Sequence, residues 1–66
     1  MPSDTIKNVA EAIDWLGNTH RREDYILVIG WVRALKPADY FEVKWELECM
    51  KSKHGVQLLI RAFKHL

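Results

Sequence analysis

The stretch from Phe41 to Cys49, FEVKWELEC, alternates apolar and charged residues without a break. Strict alternation is the mark of a half-buried strand, because successive strand side chains point to opposite faces. In that reading Phe41, Val43, Trp45, Leu47 and Cys49 share an apolar face, and Glu42, Lys44, Glu46 and Glu48 a charged one. The earlier run YILVIGWV, Tyr25 to Val32, is apolar throughout and rich in β-branched and aromatic residues, which also favours a strand. Between the two, LKPADY supplies turn chemistry: Pro37 presets a turn dihedral and Asp39 can bond nearby backbone. An antiparallel hairpin about Pro37 sets Trp31 against Val43, Ile29 against Trp45, Leu27 against Leu47 and Tyr25 against Cys49. The apolar faces then coincide, which is what fixes a register.

A helix from Pro37 to Lys53 is the rival reading. Pro37 suits a first helical position, Asp39 the first turn, Lys51 and Lys53 the last, and Gly55 the residue beyond. On a helical wheel the apolar residues split into two stripes. Tyr40, Val43, Leu47 and Met50 form one; Phe41, Trp45 and Cys49 form the other. The single clean face and the matching register favour the strand.

Helices are expected at both ends. Ile6, Val9, Ala10, Ile13 and Leu16 recur at helical spacing, with Ser3 or Asp4 as cap and Gly17-Asn18 as stop. Val56, Leu59, Ile60, Phe63 and Leu66 form a second helical face in the segment from Gly55 onward. The expected fold is therefore a single α+β domain over residues 1–66, an α-β-β-α chain with an antiparallel hairpin and both helices on its apolar face. The alternative is an all-α four-helix arrangement.

Sixty-six residues bury only about 60% of the surface of the unfolded chain, so such a domain is marginally stable and leans on a disulfide, a metal or a second subunit. The lone Cys49 cannot close an internal disulfide and suits a reducing, cytoplasmic setting. Apolar residues make up 48% of the chain, including three tryptophans. A second copy or another protein is then the expected support. No apolar run reaches the length of a membrane span, and the first residues lack the basic-then-apolar layout of a signal peptide.

Catalytic sets are not evident. Cys49 with His54 is a nucleophile–base pair only if the two meet in space, which their spacing does not require; a buried cysteine and surface histidines, His20 and His65 included, are the simpler expectation. One cysteine and three scattered histidines do not make a zinc site. The three glycines stand alone and cradle no phosphate. A non-enzyme without cofactor or metal is expected.

Two binding classes remain. Trp15 points roughly opposite the Ile6 stripe, beside Asn8, Glu11 and Ala12, with Arg22 as a further neighbour; exposed tryptophan is enriched at protein-binding hot spots. This favours a small regulatory or inhibitory protein that binds another protein and forms a homodimer. The alternative is a nucleic-acid-binding regulator. The tail from Lys51 onward holds Lys51, Lys53, His54, Arg61 and Lys64 and no acid, although the net charge is only +1.

Overall fold

The structure, a computed structural model, describes residues 3–17 and 21–64. They form four helices: α1 (Ser3–Leu16), α2 (Arg22–Ala34), α3 (Pro37–Cys49) and α4 (Lys53–Lys64). Among the described residues there is no strand. The expected α+β fold is thus incorrect, and the all-α alternative is the one that holds. None of the hairpin pairs, from Trp31–Val43 to Tyr25–Cys49, exists.

The physical reason lies in which side chains need burial. In α2, Val28 and Val32 stand one helical turn apart and are both buried. Burying that pair against other helices outweighs the modest β preference of the surrounding β-branched residues, which costs a helix only a few tenths of a kcal/mol per residue. Glu23 and Asp24 in the first turn and Arg33 in the last complement the helix dipole. In the hairpin register Val28 and Val32 would alternate away from Leu27, Ile29 and Trp31 and share the side of Ile26; of the three only Ile26 is exposed.

In α3, Val43 and Leu47 are fully buried, while Phe41 and Trp45 are each 65% exposed. At about 100° per residue, positions 41 and 45 fall on one side of a helix and 43 and 47 on the other. The alternation in FEVKWELEC is therefore two apolar helical stripes read in sequence order, with charged residues between them. Pro37 opens the helix, as the helical reading expected.

The helix ends where Lys51 adopts a left-handed backbone, φ 58°. The Ser52 N–H donates to the Leu47 carbonyl at 2.9 Å and the Lys51 N–H to that of Glu48 at 3.0 Å, which is a Schellman C-cap. The helical reading had placed Gly55 just beyond the end of this helix. Instead Gly55 lies within α4, and its backbone is not left-handed. Buried Ser52 starts α4: its hydroxyl accepts from the Gly55 N–H at 3.2 Å, the bond of an N-cap.

α1 matches its stripe, with Ile6, Ala10, Ile13 and Leu16 all in the core. Ser3 is already helical and Asp4 sits in the first turn, so neither is the cap expected there. The Gly17 N–H donates to the Ile13 carbonyl at 2.8 Å and closes the helix, while Asn18 lies outside the described residues. α4 contributes Leu59 and Ala62 to the same core. Of its expected face only Leu59 is fully buried: Val56 and Ile60 are half-buried, Phe63 is exposed, and Leu66 lies outside the described residues.

α1 rests on α3 and α4, and α4 also rests on α2. The end of α1 and the start of α4 approach closely at Gly55. A Cβ there would stand 2.8 Å from Leu47 Cδ2 and 3.4 Å from Asp14 Cα. The His54 ring locks this corner, with Nε2 3.0 Å from Asp14 Oδ1 and 3.2 Å from the Asp14 carbonyl oxygen.

Candidate protein-binding surface

α3 meets its neighbours only through Val43, Leu47 and the residues beside them, so its opposite side faces outward. Phe41 and Trp45 sit there one turn apart, with Cys49 exposed one turn further on. This is the second stripe of the helical reading. The aromatic surface continues sideways: the Phe41 and Tyr40 rings lie 5.5 Å apart in an edge-on contact, and Tyr40 and Phe63 of α4 lie 4.8 Å apart. Phe63 is itself half exposed. Edge contacts of this kind hold the rings in place without covering them.

Charged residues flank the stripe. Glu42 and Glu48 are exposed on either side of it, and Lys44 is half-buried. Beyond Glu48 a groove of about 580 Å³ runs between α3 and α4. Val56 and Ile60 line it with apolar surface, and Lys44, Lys51 and Lys53 edge it. α3 and α4 are antiparallel along this seam, since Tyr40 meets Phe63 at one end and Leu47 meets Gly55 at the other.

The structure places Trp15 on the outward side of α1, 78% exposed. Asn8 and Glu11 are exposed beside it and Ala12 is half-buried, so these share one face. Arg22 is exposed at the start of α2, on a separate helix, and nothing in the geometry joins it to that face. Lys51, Lys53, His54, Arg61 and Lys64 are all exposed. On α4, Lys53, Arg61 and Lys64 fall within an arc of about 80°, forming a basic outward side. His54 is turned away toward Asp14 and Ser52.

The candidate nucleophile pair is not assembled. Cys49 is exposed, which corrects the expectation of a buried cysteine, and the His54 ring is held by α1. His20 and His65 lie outside the described residues. Among the described residues no group of acidic, histidine and cysteine side chains is placed to hold a metal ion. No described helix is long and apolar enough to cross a membrane.

No protein-family model matches this chain, and no curated protein or solved structure matches it either.

The α3 groove was not visible in the sequence, because it depends on which sides of α3 and α4 meet. The Phe41–Trp45 stripe was visible, but only to a reader who had already taken the segment as a helix.

Proposed function

We propose that this chain is a small binding protein without catalytic chemistry of its own, acting as a regulator or inhibitor by docking the outward side of α3 on another polypeptide. One observation carries this reading: α3 is apolar on both sides, and only one side is used by the fold. Phe41 and Trp45 contribute nothing to the core yet are the kind of large aromatic side chains that anchor interfaces. A solvated helix would gain solubility from polar residues there at no cost to packing.

The test is retention of a partner by the immobilised chain. The Phe41→Glu/Trp45→Glu double variant should keep its helicity by circular dichroism and lose the partner. Retention unchanged in that variant would contradict the reading. Trp15 on α1 offers a second anchor with Asn8 and Glu11, and Trp15→Ala should weaken capture by about 2 kcal/mol if it does.

A nucleic-acid reading is favoured by a different feature, the basic outward side of α4 formed by Lys53, Arg61 and Lys64. It requires a mobility shift at low salt that falls steeply as salt rises. The absence of a shift at low salt removes it.

A further inference from the structure

We propose that α2 pairs with the α2 of a second copy of this chain, antiparallel about a two-fold axis midway between Leu27 and Gly30. This goes beyond the reading of α3 and does not depend on it.

α2 rests on α4 and, more lightly, on α1, and it hardly touches α3. Its core side is Val28 and Val32. The side turned outward carries Ile26, 55% exposed, and Leu27, 46% exposed, with Gly30 and Ala34 also exposed. At about 100° per residue, Glu23, Leu27, Gly30 and Ala34 fall within an arc of about 60° and make a seam along the helix. Ile26 and Arg33 share one flank of that seam. Glycine weakens a helix interior. Nothing inside the chain calls for one here, because a Cβ at Gly30 would meet nothing within 4 Å. A gap of this kind beside a large apolar residue admits a side chain from a helix lying close against it.

The occupant follows from the order of residues along the seam. A two-fold interface must be self-complementary, because both partners use the same patch. In an antiparallel helix pair, a half-turn sets each residue against the one equally far beyond the axis on the same flank. Leu27 of each copy then faces Gly30 of the partner subunit, and Glu23 faces Ala34. Glu23 also stands beside Arg33 of the partner subunit. With helix axes about 8 Å apart, their Cβ atoms come within about 6 Å, the range of helix ion pairs. Arg22 lies about 110° round from the seam and leans away from it. In the free chain Glu23 lies 3.6 Å from Arg21, an exposed pair of little strength. Large thus meets small and acid meets base, each match made twice. A foreign helix would need a large residue for Gly30, a small one for Leu27 and both charges at the ends; α2 is itself such a helix. Its 13 residues give a contact about 20 Å long. That is smaller than the standard interface of about 800 Å² per partner, so the dimer is a weak, reversible one.

The test is sedimentation equilibrium up to about 1 mM, where a dissociation constant of about 0.1 mM gives mostly dimer. The wild-type chain is expected to dimerise. The Phe41→Glu/Trp45→Glu variant is expected to dimerise equally, since α3 takes no part. Gly30→Leu adds apolar surface but fills the gap, and should weaken pairing by about ten-fold or more. Glu23→Lys and Arg33→Glu, made in separate chains, each set like charges together twice. Each alone should pair about five-fold more weakly at low salt. Mixed, the two chains meet with opposite charges at both contacts, and wild-type affinity is expected to return. All three positions are exposed, and circular dichroism checks that the helices persist. If a charge-reversed chain unfolds, the Gly30→Leu result still decides.

A monomer at about 1 mM overturns the proposal. So does pairing that Gly30→Leu leaves unchanged or strengthens, because an apolar face without a close approach gains from an added leucine. Pairing lost in Phe41→Glu/Trp45→Glu moves the contact to α3 and overturns it as well. Folded charge-reversed chains that pair no better mixed than alone overturn the register, and with it the dimer.

Discussion

Gly30 and Gly55 both sit inside helices, and the same substitution should move stability in opposite directions at the two sites. At Gly30, in α2, an added Cβ would meet nothing within 4 Å. Alanine there gains helix propensity and reduces the freedom of the unfolded chain, together worth about 0.5–1 kcal/mol. In a domain of this size that raises Tm by roughly 3–8 °C. At Gly55, in α4, the Cβ would stand 2.5 Å from Ser52 Oγ and 2.8 Å from Leu47 Cδ2. Both neighbours are buried, and neither can retreat freely. Moving Ser52 gives up its N-cap bond to Gly55, about 1 kcal/mol, and crowding the core costs about 1–3 kcal/mol more. The propensity gain offsets part of this, leaving a net loss of about 1–3 kcal/mol. The assay is urea unfolding of both variants followed by far-ultraviolet circular dichroism. Variants that shift in the same direction would refute the close approach of α4 to α3 on which the groove depends.

Leu47→Ala should cost about 2–5 kcal/mol, because it empties a fully buried site. Trp45→Ala, two positions away, should stay within about 0.5 kcal/mol in dilute unfolding experiments, as surface substitutions do. A strand with both residues on one face predicts similar losses for the two. Lys51→Gly should stabilise the chain by about 0.5–1 kcal/mol, since it relieves a left-handed non-glycine residue at the C-cap of α3 and pays back part of that gain in unfolded-state entropy. Thermal unfolding of Lys51→Gly reads this directly, and a lowered Tm contradicts the cap.

The sequence resolved some elements well and others poorly, for identifiable reasons. α1 was legible because it carries one apolar stripe at helical spacing with a polar or solitary other side. α4 was legible as a helix by the same spacing, but its buried side, Gly55, Leu59 and Ala62, is turned from the expected stripe because small residues carry the close approach. α2 was misread because its run from Tyr25 to Val32 has no polar residue to reveal a period; only packing singles out Val28 and Val32. α3 was misread because two stripes on opposite sides of a helix interleave into perfect alternation, which periodicity alone cannot tell from a strand. The same doubling makes α3 the candidate site. A segment whose second apolar face serves no core confuses the pattern, and in the proposed reading that face is the one a partner covers. The exposed stripe was therefore contained in the helical reading, while the groove and its borders needed the packing of α3 against α4.

Solvent access to Trp45 in dilute solution bears most directly on whether α3 has a free apolar side. A chain with Trp15→Phe and Trp31→Phe leaves Trp45 as its only indole, and a neutral quencher such as acrylamide reports its exposure. In dilute solution the indole should be quenched almost as freely as a short tryptophan peptide. An indole shielded in the monomeric chain would place Trp45 in the core and remove the second face of α3.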